Sequence, residues 1–438
     1  MTDTAQGAAA RASRFPIHAQ IGVAMALGLL AGPALGREAL QLGEIGKLVI
    51  QLIKAAAAPL LFLSIVHAIL KTEIKKRSAA RLFFWAALNA SVALAIGLLL
   101  SNVFKPGRTL AHFVKPNPAL LKAYAEKKLE LIPTLSSFVP SSFVTPFAEN
   151  VVLTIVLIAL LLGFGLRRAR TEQLAAGSHA FRGLEDGVET LLRVMELVLG
   201  WIIRLIPFAV FGVVARAMAE HGFAPLKGLF VYLLVGVGGL ALHILFTYQA
   251  LLVFIARMPL SKFWREAKGP VIYAAGANSS LATLPVTLRA LDRLGVSRSA
   301  SALGACVGTN FNNDGIILYE GMAVLFVAQA SGIDLSFSQQ LLAAAACLVA
   351  AMGVAGVPEA GFVSLALVLN TVGLPLELLP LLLTVDWVIA RGRSVTNVLS
   401  DMLLSILLDR NPVPAPENDD EAALAAAHSA PSSASIRE

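Results

Sequence analysis

Charge is scarce in this chain. Only 14% of its 438 residues are Asp, Glu, Lys or Arg, against about 25% in an ordinary soluble domain. Cysteine is scarcer still. Cys306 and Cys347 both lie in apolar stretches, which excludes a disulfide framework and a thiol metal site. The seven histidines are scattered without ligand spacing, so no structural metal site is expected. Strand-like alternation is missing from the apolar runs, which excludes a membrane-spanning barrel. The first apolar block lacks an A-x-A-like cleavage site after it, so it reads as retained.

Apolar sequence is what the chain has in plenty, at 57%. It falls into continuous blocks of Leu, Ala, Val and Gly, each about 20 residues or longer, enough to cross a hydrocarbon core about 30 Å thick. In lipid, helices satisfy their own backbone hydrogen bonds, so these blocks predict a polytopic α-helical membrane protein. The net charge of +7 collects at the ends of the blocks. That is the positive-inside pattern of a membrane protein, not a nucleic-acid-binding face.

The pattern predicts spans over residues 15–36, 44–70, 82–104, 151–166, 191–218 and 229–255. Basic clusters place three loops in the cytoplasm: Lys71 to Arg81, Arg167 to Arg170, and Arg257 to Lys268. Residues 1–14 and the acidic, Pro/Ala/Ser-rich tail read as disordered and solvated, on the cytoplasmic side. Residues 105–147 read as a long polar, basic loop leading into a segment broken by Pro133, Pro140 and Pro146.

Beyond residue 268 the apolar blocks are interrupted mid-segment in four places: Gly276 to Pro285, Gly308 to Gly315, Gly353 to Gly361, and Asp386 to Asp401. Irregular backbone at membrane depth is tolerated only where it is buried in protein or lines a wet cavity. Transporters use such places to bind anions and cations. The first and third interruptions have arms of about 10–15 apolar residues, short for full spans, and predict re-entrant helical hairpins. The alternative is a pair of ordinary spans kinked by Gly and Pro.

In the fourth interruption, Asp386, Ala390, Arg393, Ser394, Asn397 and Asp401 fall on one helical face. Each charged group costs roughly 2.5–3.5 kcal/mol at mid-membrane and requires a partner or water. The stripe suits an anionic solute held by Arg, with a hard cation held by Asp and backbone carbonyls. An internal Asp–Arg pair that only holds helices together is the alternative. Asn312 and Asp314 are candidates for the same cation cage. Glu320 lies about two turns beyond the break in an apolar run. A lone Glu there favours the protonated form, which makes it a candidate proton carrier; a Glu facing a water-filled vestibule is the other reading. His67 and His243 read as helix-packing residues without a role.

These motifs resemble the dicarboxylate/amino acid–cation symporter family, which includes the glutamate transporters. Ser279-Ser280-Leu281-Ala282-Thr283-Leu284-Pro285 looks like that family's serine-rich first hairpin tip. Asn312-Asn313-Asp314-Gly315 is similar to its Asn-Met-Asp-Gly-Thr break, and Gly356-Val357-Pro358 to its second tip. Asp386-Trp387, Arg391-Gly392-Arg393-Ser394, Asn397 and Asp401 are similar to its last helix.

The resemblance implies eight transmembrane helices plus two re-entrant hairpins in a homotrimer, working as an elevator. Residues 15–81 and 105–218 would be scaffold; 82–104 and 219–409 would form the moving transport domain. It implies that Arg393 holds a substrate carboxylate and that Ser279, Ser280, Val357, Gly361, Ala390, Ser394 and Asn397 line the solute. Asp401 with carbonyls near Gly308, Asn312 and Asn397 would hold one sodium; Asn312 and Asp314 belong to another. Glu320 matches a proton-bearing glutamate. No cofactor beyond the coupling ion, Na+ or H+, is implied. The partners are a small organic anion and the lipid bilayer, and a bacterial inner membrane is the expected location.

Three departures refine the reading. Ala390 stands where amino acid transporters place the acid that grips the substrate's ammonium. A buried ammonium without that partner is costly, so a C4-dicarboxylate is favoured over glutamate or aspartate. Asn89-Ala90 replaces a sodium-holding Thr-Ser pair, leaving the cation count open. Glu359 replaces a Gly at the second tip, where it is placed to repel or reshape an acidic substrate. An uncoupled anion channel is a competing reading; the packed polar stripe suits binding better than conduction. An intramembrane serine hydrolase is a third, disfavoured because no G-x-S-x-G elbow surrounds Ser279 or Ser280.

Overall fold

The computed structural model describes residues 17–71, 76–111, 139–140, 142–310, 312–351 and 360–409. The expected disordered ends, most of the polar loop and the second tip, with Val357 and Glu359, lie outside the described residues. No strand occurs among the described residues. Helices follow the apolar blocks: α1 (Ile17–Leu35), α2 (Ala39–Lys71), α3 (Lys76–Phe104), α4 (Val152–Ala175), α5 (Arg182–Ile203), α6 (Ile206–His221) and α7 (Ala224–Leu242). The C-terminal half adds α8 (Leu260–Ala277), α9 (Ser280–Leu294), α10 (Arg298–Ser301), α11 (Asp314–Ala330), α12 (Phe337–Ala351), α13 (Ala360–Val372) and α14 (Leu379–Leu408). Among the described residues, four stretches are long and apolar enough to cross a membrane: Ala19–Lys71, Ala80–Thr109, Arg182–Glu220 and Leu226–Ile255.

Two expected spans differ in detail. The span expected over 191–218 is divided at Arg204 and Leu205, between α5 and α6. Pro207, in the first turn of α6, lacks the N–H that a continuous helix would use, so the chain restarts there. The span expected over 229–255 runs on from α7 in π geometry over His243–Tyr248 and Leu251–Ile255. A π-turn closes i→i+5 bonds and so re-aims the side chains it carries.

The first interruption is narrower than its sequence suggests. Asn278 takes the left-handed conformation at φ +51° and ends α8. Ser279 caps α9, its Oγ accepting the Ala282 N–H at 3.1 Å. Pro285 lies inside α9 instead of breaking it. The two arms, α8 and α9, pack against each other and have 18 and 15 residues, the first longer than expected and the second at the upper end of the expected length. Helices α12 and α13 also pack together and have 15 and 13 residues. Between α10 and α11 the chain passes through π (Ala302–Val307) and 3-10 (Gly308–Asn310) turns before α11 begins at Asp314.

Packing divides the helices into two groups. Helix α2 packs on α4, α5 and α6, and α1 packs on α6. Helix α14 is surrounded by α7, α8, α9, α10 and α11, with α3 against α11. The groups meet where α13 touches α2 and α14 touches α6. Helix α11 is buried along its whole length, and α14 nearly so. Their crossing is close: a Cβ on Gly315 would lie 2.7 Å from the Arg393 carbonyl oxygen, so only glycine fits there.

Candidate functional site

The α11–α14 crossing collects the polar stripe. Asp386, Ala390, Arg393, Ser394, Asn397 and Asp401 are all buried. The Arg393 Nη2 donates to Asp386 Oδ2 at 2.9 Å, and its guanidinium carbon lies 4.1 Å from the centroid of the Tyr319 ring on α11, a cation–π contact. Gly361, at the start of α13, is pressed on the same guanidinium: a Cβ there would come within 2.4 Å of Nη1. Arg393 thus joins α11, α13 and α14. The internal Asp–Arg pair is present, yet its neighbours are not idle. Ser394 Oγ donates to Asn278 Oδ1 in the first tip at 3.2 Å. Asn397 Oδ1 accepts the Gly315 N–H at 2.9 Å, and its Nδ2 donates to Asn313 Oδ1 at 3.3 Å. Asn313 in turn donates to the Ala351 carbonyl at the end of α12, at 2.9 Å. Both helix pairs are therefore tied to one face of α14.

Ser279 and Ser280 are half-buried at the first tip. The Ser279 hydroxyl serves as the α9 cap, and its carbonyl accepts the Thr283 hydroxyl at 2.7 Å. Ala390 is 4% exposed, one turn before Arg393, and contributes no charge.

Two helical turns along α14, a second polar pocket surrounds Ser400. Its hydroxyl accepts from Asn89 Nδ2 on α3 and from Asn312 Nδ2, both at 2.7 Å, and donates to Asp314 Oδ2 at 2.7 Å. Asp314 is fully buried. The same Oδ2 also accepts from the Asn89 amide, the Tyr248 hydroxyl at 3.0 Å and His243 Nε2 at 3.3 Å. Asn89 Oδ1, Asn312 Oδ1, Asp314 Oδ1 and Asp401 Oδ1 are enclosed without a hydrogen-bond partner among the described residues. The Gly308 carbonyl accepts the Asn312 N–H at 2.8 Å, which leaves it one lone pair.

Buried polar atoms are ordinarily satisfied, and buried charges are paired or bind ions. Among the described residues, neither Asp314 nor Asp401 forms an ion pair with Lys or Arg. Two unpartnered amide oxygens together with the free oxygen of each of these two carboxylates fit a hard cation, which prefers oxygen ligands. Glu320 is separate from this pocket. It is fully buried on α11 with both carboxylate oxygens unpartnered among the described residues, flanked by Ser364 of α13 and Cys347 of α12.

The sequence reading did not single out Ser400, Tyr248, Tyr319 or a role for His243. Ser400 lies inside the fourth interruption, next to Asp401, a position that could have pointed to it. His243 and Tyr248 are five residues apart, a spacing that no α-helical period groups; only the π-turn brings them to one side.

Apolar spans too many for a soluble fold, a broken helix whose enclosed acids keep a carboxylate oxygen free, and a buried arginine where helices α11, α13 and α14 meet define a membrane transporter. The profile of the sodium:dicarboxylate symporter family matches residues 17–411, and the chain belongs to that family. It is 30% identical over 406 residues to a C4-dicarboxylate transport protein of Yersinia enterocolitica, covering 90% of this chain and 91% of the relative. It is 29% identical over 404 residues to the C4-dicarboxylate transport protein of Janthinobacterium sp. (strain Marseille), covering 90% and 89%. A Bacillus subtilis (strain 168) protein of the same description is 28% identical over 410 residues, covering 90% and 92%.

Proposed function

We propose that this chain is a secondary active transporter that carries a C4-dicarboxylate together with sodium, or with sodium and a proton, by an elevator movement. The observation that carries this reading is the buried Arg393 with an alanine, Ala390, one turn away. The guanidinium offers bidentate recognition of a carboxylate, and the apolar neighbour offers nothing to a substrate ammonium. The names of the relatives, all C4-dicarboxylate transport proteins, favour the same substrate class.

In this reading the empty carrier holds Arg393 on Asp386. The solute's carboxylate displaces that contact while Ser394, Asn397 and the two tips enclose the rest of the molecule. Ser280, Val357 and Gly361 line the solute. Asn89, Asn312 and Asp314 receive one sodium; Asp401 with the carbonyls near Gly308, Asn312 and Asn397 receives another. Glu320, enclosed beside α12 and α13, is the proton carrier. Helices α8–α9 and α12–α13 are re-entrant hairpins, and with α3, α7, α11 and α14 they move as one body against α1, α2, α4, α5 and α6. That scaffold holds the protein as a homotrimer in the bacterial inner membrane.

The test is uptake of radiolabelled succinate into proteoliposomes under an imposed sodium gradient. Saturable uptake that collapses when the gradient is dissipated is expected. Uptake indifferent to sodium and proton gradients would overturn the coupling. No uptake of any C4-dicarboxylate, with uptake of glutamate or aspartate instead, would overturn the substrate.

A further inference from the structure

The α7 extension brings a pair of donors to Asp314 that the proposed transport mechanism leaves unused. In an α-helix, residues five apart point about 140° away from each other. The π-turn over His243–Tyr248 puts both ends of this pair on one side. Their rings meet edge to face at 4.8 Å between centroids, and both are buried, at 0% and 1% exposure. His243 Nε2 lies 3.3 Å and the Tyr248 hydroxyl 3.0 Å from the same oxygen, Asp314 Oδ2.

The chemistry of the partners sets the direction of these bonds. An ionised carboxylate only accepts, so His243 carries its proton on Nε2. The other ring nitrogen, Nδ1, lies 3.1 Å from the Thr247 hydroxyl, which holds the ring's orientation. The single Tyr248 hydroxyl proton lies between two acceptors, Asp314 Oδ2 at 3.0 Å and the Thr396 carbonyl at 3.2 Å. With Asn89 and Ser400 on it as well, Oδ2 has no room for a further ligand. The unpartnered oxygen is Oδ1.

We infer that His243 and Tyr248 are positioning residues of the Asn89–Asn312–Asp314 cation pocket: by holding Oδ2 they fix the rotation of the Asp314 carboxylate and reserve Oδ1 for sodium. They touch neither the solute nor the ion. Outer partners of this kind orient a ligand and tune ion affinity. The inference rests on the sodium-coupled reading above, and it adds two residues that set how tightly the ion is held.

The experiment measures sodium half-saturation of succinate uptake in proteoliposomes for Tyr248→Phe, His243→Leu and His243→Gln. It is paired with the sodium-induced rise in melting temperature of the detergent-solubilised full chain without succinate, a binding readout independent of transport. Tyr248→Phe and His243→Leu are expected to raise the sodium half-saturation about tenfold to a hundredfold and to weaken the sodium-induced stabilisation. Half-saturating succinate at saturating sodium stays as in the unaltered chain. His243→Gln, which keeps an N–H donor, restores most of the sodium affinity. Sodium responses unchanged in Tyr248→Phe, or His243→Gln as impaired as His243→Leu, would overturn the inference. If His243→Leu does not fold, Tyr248→Phe and His243→Gln decide. An unaltered chain whose uptake ignores sodium refutes the coupled reading itself; a sodium-dependent chain with indifferent variants refutes only the positioning role.

Discussion

Arg393 carries three contacts at once: Asp386 beside it on α14, the Tyr319 ring beneath it and Gly361 against it. Replacing it removes the carboxylate's partner and also leaves Asp386 enclosed without a cation, which costs several kcal/mol. Arg393→Ala is expected to abolish succinate uptake and succinate-induced thermal stabilisation. Arg393→Lys keeps the charge but loses the fork that grips a carboxylate with two bonds, so its half-saturating succinate concentration rises at least tenfold; titrating uptake against succinate checks this. Ala390→Asp places an acid one turn from Arg393. Competition assays are expected to show the preference moving from succinate towards aspartate or glutamate, and unchanged selectivity would remove the assignment of this position. The members of the buried polar stripe were legible in part. Asp386, Arg393, Asn397 and Asp401 announced themselves because charge and amide are costly in an apolar run. The partners that complete the site were not, because Tyr319 and Tyr248 look like ordinary apolar filling until tertiary packing brings them against Arg393 and Asp314.

At the level of elements, the close crossing of α11 and α14 depends on Gly315. A methyl there would approach the Arg393 backbone within 2.7–2.8 Å, with no flexible side-chain end to give way. Gly315→Ala is expected to separate the two helices and cost about 1–3 kcal/mol, read as a lower melting temperature and weaker succinate binding together. Helix identity was readable from the length and continuity of the apolar blocks. The subdivision of residues 182–221 into two helices, the π-turns of α7 and the persistence of α9 through Pro285 were not. Each depends on a local backbone choice that hydropathy does not encode, and Pro207 was the one visible clue. The first interruption, expected over Gly276 to Pro285, is confined to Asn278 and Ser279, where a left-handed residue and a Ser cap follow one another.

For the whole molecule, the elevator reading requires the two helix groups to slide past each other. Asn370 on α13 donates to the Glu149 carbonyl at 2.7 Å, a contact between the group around α14 and the segment leading into α4. In a variant with Cys306 and Cys347 replaced by Ala, paired substitutions Glu149→Cys and Asn370→Cys put one thiol on each side of this contact. Oxidative cross-linking is expected to stop succinate transport while succinate still binds, and reduction is expected to restore flux. Full transport by the cross-linked protein would refute a sliding mechanism. The two-group arrangement could not be derived from hydropathy, since every helix in both groups is apolar; it came from resemblance, and the packing of α2 and α14 with different neighbours is consistent with it.

Asp314 and Asp401 lie enclosed with no built-in Lys or Arg opposite them among the described residues. In the elevator cycle proposed above, a carrier emptied of solute and ions with both acids ionised would make its return crossing with uncompensated negative charge, and the electric field of the cell would act on that leg of the cycle. Each elementary charge crossing the full field is worth about 2.3 kcal/mol per 100 mV. An inside-negative potential pushes the vacant carrier outward, so polarisation is expected to hasten resetting and raise the turnover rate rather than merely add to the driving force.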